Sequence, residues 1–155
     1  MHLRELRRAG RTRQLETTRF GIRTLACDDE LGFVLNGEPL RIRGANRHQD
    51  FPWLGNAVPD NAAWRDVKRL KDAGFNFLRL AHYPQSQAVM DACDELGLMA
   101  CVCTPGWQWW SDAPGFAELA QRNVREMVRW HRNHPSAVMW EVSLLARASR
   151  INLRR

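Results

Sequence analysis

Between residues 41 and 144, four short strand-like runs alternate with three amphipathic stretches, and this alternation constrains the fold more than any other feature of the chain. The runs are "RGANRH", "FNFLRLA", "LMACVC" and "AVMWEVSL". Between the first two, Trp64, Val67, Leu70 and Ala73 recur at helical spacing, with Asp60 placed to cap the helix and Gly74 to end it. Pro84 and Ser86 open a second helix through Val89, Met90, Cys93 and Leu96, which Gly97 closes. Phe116, Ala120, Val124, Met127 and Val128 mark a longer third helix, stopped near Asn133 and Pro135. Strand and helix alternating in so few residues require right-handed crossovers and a parallel sheet, so the class is α/β, either doubly wound or part of a (β/α) barrel.

Upstream, "GFVLNGEPLRIRG" holds Asn36-Gly37 between two apolar runs, a pair that accepts positive φ at both central positions of a hairpin turn. Its second strand is expected to run on into "RGANRH". The 155 residues carry a net charge of +6, but residues 1–25 hold seven arginines against Glu5 and Glu16, and residues 145–155 hold four arginines and no acid. The stretch between is net acidic. A basic groove would need its charge on the folded elements, so no nucleic-acid partner is expected. No run approaches the roughly 18 apolar residues of a membrane span and no apolar core follows the basic N-terminus, so neither membrane nor secretory signal is expected and the location is read as cytoplasmic. Cys27, Cys93, Cys101 and Cys103 lack the C-x-x-C spacing of zinc sites and read as reduced core thiols, with no metal or other cofactor expected.

No glycine-rich phosphate loop of the G-x-G-x-x-G or G-x-x-x-x-G-K-[ST] kind is present. Chemistry must then come from the C-terminal ends of the strands, where parallel α/β folds gather their ligands. The first ends in Asn46, Arg47 and His48, the second in Arg79, His82 and Tyr83, and the third in "TPGWQWW" with Trp107, Trp109 and Trp110. Indole faces stack on the C–H face of a pyranose while forked polar side chains bond its hydroxyls, so this set suits a sugar. Trp64, Trp130 and Trp140 read as core, and His131 and His134 as caps at a helix end.

The stretches "LNGEPLRIRGANRHQD", "LKDAGFNFLRLAHYP", "CDELGLMACV" and "RNHPSAVMW" together resemble the family 2 glycoside hydrolases, the β-galactosidase, β-glucuronidase and β-mannosidase group, over residues 18–144. The resemblance implies a partial (β/α)8 TIM barrel of about four strands and three helices over residues 41–144. It makes residues 18–40 the end of a β-sandwich, with "TTRFGIRT" as its last strand, and the entry hairpin. Residues 1–17 and 145–155 are left as basic irregular segments. It also implies that Arg79 and His82 of the R-x-x-H-Y-P motif, and Asn46, Arg47 and His48, line a sugar site. The "PGWQWW" loop resembles a branch without the acidic ligands for a divalent ion found in some β-galactosidases.

Retaining glycoside hydrolysis needs two carboxyl groups roughly 5 to 5.5 Å apart. The resemblance places the acid/base in an Asn-Glu after the fourth strand and the nucleophile on the seventh. Where W-E-x-S-L-N-E is expected, Leu145 and Ala146 stand in place of Asn and Glu. Glu141 is the only carboxylate on that strand, and so the one candidate catalytic residue, although it reads more readily as a partner for a polar group on a neighbouring strand. With 21 arginines and 2 lysines, the coding sequence reads as GC-rich, and a frame change after Leu144 would account for "LARASRINLRR". The sequence is thus read as a fragment of a retaining hydrolase of β-linked O-glycosides, without turnover alone. The alternative is a non-catalytic carbohydrate-binding half-barrel, or a subunit completed by another chain. Four strands cannot close a barrel, so self-association through open edges is expected, across a wall containing Leu78, Leu80, Val102 and Val138.

Overall fold

The computed structural model describes residues 2–8, 11–105 and 111–142, with side chains from Thr17 onward. Nine strands and three helices lie in the described residues. β1 (His2–Arg8) and β2 (Arg11–Thr18) form an antiparallel ribbon. This differs from the irregular segment expected over 1–17. A two-stranded ribbon satisfies its backbone groups by cross-strand bonds and needs no apolar periodicity, so the sequence pattern carried no sign of it.

The stretch expected to be a sandwich strand, 17–24, is regular only at Thr17 and Thr18, the end of β2. It is laid instead against the later elements. Arg19 pairs with Asp91 and Glu95, and Arg23 donates to the Ala137 carbonyl. Gly21 fits under Pro135 so closely that a Cβ there would meet the ring at 2.5 Å.

β3 (Leu25–Asp28), β4 (Gly32–Leu35) and β5 (Glu38–Pro39) form a small antiparallel sheet. The β4–β5 turn has φ of 54° at Asn36 and 86° at Gly37, as its Asn-Gly pair demands. β5 ends at Pro39 rather than running on, because proline and the following extended residues leave the antiparallel ladder before the barrel strand begins.

A four-stranded parallel sheet follows, in the order β6 (Gly44–Arg47), β7 (Phe77–Leu80), β8 (Met99–Cys103), β9 (Ala137–Glu141). The crossovers are α1 (Asp60–Asp72), α2 (Gln87–Leu96) and α3 (Phe116–His131). Asp60 is the first helical residue of α1, with Pro59 in the cap position and no side-chain capping bond. Its negative charge acts on the helix terminus rather than on a single N–H. At the end of α2, Gly97 takes the left-handed conformation, φ 69°.

One core lies between sheet and helices: Leu78, Leu80, Ala100, Val102 and Ala137 from the strands meet Val67, Val89, Met90, Cys93 and Met127 from the helices. This corrects the expected apolar wall on the open side of the sheet. Side chains alternate along a strand, and the pleat that turns Arg79 inward turns Leu78 and Leu80 to the helices. Val138 is the extra residue where the β8–β9 register shifts. Trp64 and Trp140 pack against this core, as expected, whereas Trp130 is 74% exposed on α3.

Candidate active site at the strand ends

The inward face of the sheet is set by register. Asn46 pairs with Arg79, Arg79 with Cys101, and Cys103 with Glu141. Arg79 crosses in front of β8 to reach β9, where Nε donates to Glu141 Oε2 at 2.6 Å and Nη2 to Oε1 at 2.5 Å. Nη1 donates more weakly to Asn46 Oδ1 at 3.4 Å. A bidentate guanidinium–carboxylate pair is planar and directional, so Glu141 fixes the plane of the Arg79 guanidinium.

Both Glu141 oxygens are thus engaged by Arg79. The carboxyl is held below its ordinary value, chiefly because Arg79 hydrogen-bonds the ionised form, while burial pulls the other way. A general acid needs the opposite shift. The Arg79 guanidinium is correspondingly raised, first by the bond to Glu141.

Above this pair three rings gather. His48 meets His82 edge-on with centroids 5.3 Å apart, and Tyr83 at 6.4 Å. The Gln49 backbone N–H donates to Tyr83 Oη at 3.1 Å, and the Ser86 N–H donates to Gln49 Oε1 at 2.7 Å. These bonds tie the loops after β6 and β7 together. The His82 pKa is lowered by desolvation first and then by the positive charge of Arg79, which favours the neutral ring, with one donor and one acceptor nitrogen.

Arg47 is not part of this cluster. It points between sheet and helices, buried, where Nε donates to Asp66 Oδ2 of α1 at 2.7 Å and Nη1 to Gln85 Oε1. Gln85 Nε2 returns a bond to the Arg47 carbonyl at 2.6 Å. The pleat again decides: in "NRH" neighbouring residues face opposite ways, and Asn46 and Arg47 cannot share a site. Trp107, Trp109 and Trp110 lie outside the described residues, as do Leu145 and Ala146.

The two later histidines are not caps. His134 Nδ1 meets Asp94 Oδ2 at 2.6 Å, Nε2 meets Gln87 Nε2 at 2.5 Å, and Asp94 Oδ1 accepts the Ser136 N–H at 3.0 Å. This fastens the turn before β9 to α2. Burial alone would raise the Asp94 pKa, but the bonds from His134 and Ser136 bring it below its ordinary value. His131 is buried at the end of α3, its pKa lowered by desolvation.

Sequence reasoning missed the pairing of Cys101 and Cys103. Two residues apart on a strand, they face the same inward side beside Glu141, with the two sulfurs and a carboxylate oxygen all within 4.8 Å of one another. The signal was C-x-C within a strand, where period two does what C-x-x-C does in a turn.

Four parallel strands with helical crossovers and polar side chains at their carboxyl ends define a segment of a (β/α) barrel. The family model "Glycosyl hydrolases family 2, TIM barrel domain" matches residues 26–150. A β-galactosidase of Thermoanaerobacter pseudethanolicus is 43% identical over 129 residues, 83% of this chain and 17% of that protein. A β-glucuronidase of Bacteroides fragilis is 34% identical over 131 residues, 80% of this chain and 19% of that protein. Among solved structures, β-glucuronidase 3 of Bacteroides uniformis superposes with a TM-score of 0.82 at 34% identity, covering 90% of this chain and 18% of that one. The chain belongs to the family 2 glycosyl hydrolases, and its parallel sheet is part of their TIM barrel. It spans less than a fifth of the length of these relatives.

Proposed function

We propose that the strand-end cluster binds β-linked O-glycosides and that these 155 residues, tested alone, bind without turning over. The observation that carries this reading is the Glu141–Arg79–Asn46 chain of hydrogen bonds. It commits the only β9 carboxylate among the described residues to orienting a guanidinium. Arg79 Nη1, whose bond to Asn46 is long, is the donor left for a sugar hydroxyl, and neutral His82 beside it supplies a second polar contact. Names such as β-galactosidase and β-glucuronidase among the relatives support the substrate class without choosing its sugar.

Turnover by the retaining route would need a protonated carboxyl near the end of β9 and a second carboxylate opposite. Position 146 is Ala, and Glu141, the one β9 carboxylate among the described residues, is bound by Arg79. In this reading residues 41–144 are the barrel portion, 18–40 its entry, and 145–155 a tail without a role in binding. The net-acidic middle speaks against a nucleic-acid partner, and the three buried free thiols support a reducing, cytoplasmic location. No described helix is long and apolar enough to cross a membrane.

A second reading, completion by another chain or copy, draws on β6 and β9, which stand at the edges of the described sheet, and on Met139, 51% exposed. Sedimentation against concentration separates the two.

The binding claim is tested by calorimetric titration with an aryl β-glycoside. His82→Ala and Trp109→Ala should each weaken affinity by about 1 to 3 kcal/mol, through a lost hydrogen bond and lost stacking. Equal affinity in wild type and both variants removes the sugar site.

A further inference from the structure

We propose that Cys101, Cys103 and Glu141 form a binding site for one thiol-preferring divalent cation of the zinc class. The three donors come from two adjacent strands. Cys101 and Cys103 occupy alternate positions of β8, and Glu141 is the register partner of Cys103 on β9. Their ligating atoms all lie within 4.8 Å of one another, and Cys103 Sγ stands 3.5 Å from Glu141 Oε2.

Those spacings match a tetrahedral ion. With zinc–sulfur bonds of about 2.3 Å and zinc–oxygen bonds of about 2.1 Å, tetrahedral geometry sets sulfur to sulfur at about 3.8 Å and sulfur to oxygen at about 3.6 Å. Small rotamer adjustments on a rigid parallel sheet suffice to reach them. A fourth position, facing the strand-end cluster, is left for water.

The surroundings supply what such a site needs beyond its ligands. Arg79 currently binds both oxygens of Glu141. When Oε2 turns to the ion, Oε1 keeps its bond from Arg79 Nη2, so the guanidinium orients the coordinating carboxylate from behind. Charge balance favours exchange: the two thiols are neutral when protonated, and one divalent ion replaces two protons, leaving the net charge of the cluster unchanged. The step is two thiols plus one divalent cation giving two metal–thiolate bonds and two released protons, without oxidant or reductant.

The donor set selects among metals. Two thiolates and one carboxylate favour zinc or cadmium over the hard magnesium and calcium ions, which take all-oxygen shells. The other group of possible ligands among the described residues, Asp91, Asp94 and His134, offers no sulfur.

The test uses the reduced 155-residue chain titrated with cadmium chloride, read by the ultraviolet thiolate-to-cadmium charge-transfer band, with zinc measured by competition against a chromophoric chelator. One equivalent should bind. Cys101→Ser and Cys103→Ser should each lose the band or weaken binding at least about a hundredfold, while Glu141→Gln keeps the band and weakens binding about ten- to a hundredfold. Cys27→Ser, altered on the exposed β3 strand, should match wild type. On the unmutated chain, about two protons should be released per cadmium ion near neutral pH in weak buffer. A band that survives both serine substitutions in variants with native circular dichroism, or binding without proton release in the native chain, overturns the site.

Discussion

Replacing Arg79 by methionine removes the guanidinium that spans β7 to β9 and leaves the Glu141 carboxylate facing the inner sheet without its partner. The two side chains are 23% and 18% exposed. Fully exposed pairs contribute about 0 to 1 kcal/mol, and breaking a fully buried one costs about 3 to 5 kcal/mol. With two short charge-assisted bonds and about a fifth of its surface in water, this pair belongs between, so Arg79→Met should cost about 2 to 3 kcal/mol in urea unfolding at neutral pH. Replacing both partners with methionine should recover most of that loss, because no buried charge is left alone. The pH dependence follows from the sign of the shift. Glu141 is depressed in the folded chain, so its contribution is present above the ordinary carboxylate value of about 4.5 and is lost as pH falls through the lower folded value. The gap between wild type and Arg79→Met should therefore narrow in acid. A single-variant cost below about 0.5 kcal/mol, or a gap that holds constant down to about pH 3, would refute the pairing as an energetic element.

Three further outcomes are expected. Leu78→Ala, which empties a fully buried position between β7 and the helices, should cost about 3 kcal/mol in urea unfolding. Asp66→Asn should lower stability by about 1 to 2 kcal/mol through Arg47 while leaving glycoside affinity unchanged, as titration calorimetry would show. Asp94→Asn should flatten the loss of stability below about pH 4 in acid-unfolding curves, because the depressed Asp94 pKa makes its contribution one that disappears as pH falls.

The order of strands and helices was legible because periods of two and 3.6 are written directly into "FNFLRLA", "LMACVC" and the Trp64–Ala73 stretch. The Asn36-Gly37 turn was legible for a similar reason, since few other pairs accept two positive φ values. What escaped was side-chain direction. Treating Asn46, Arg47 and His48 as one cluster, and Leu78 and Leu80 as a wall of the barrel interior, overlooked the pleat that sends neighbours to opposite faces. Glu141 reads from the sequence only as a partner for a polar group on a neighbouring strand; that its partner is Arg79, two strands away on β7 and bound through both carboxylate oxygens, was not legible. His134 was misread because its partner, Asp94, lies forty residues earlier on another helix, and no local pattern encodes a contact at that separation.

The central claim is that Glu141 serves Arg79 and a ligand rather than the chemistry of glycosidic cleavage. Release of a chromophore from an aryl β-glycoside, measured side by side with the chain and its Glu141→Gln variant, tests it most directly. No release above the protein-free rate is expected from either, while the unaltered chain binds the same glycoside. Release by the chain that vanishes in Glu141→Gln would contradict it and make Glu141 the acid.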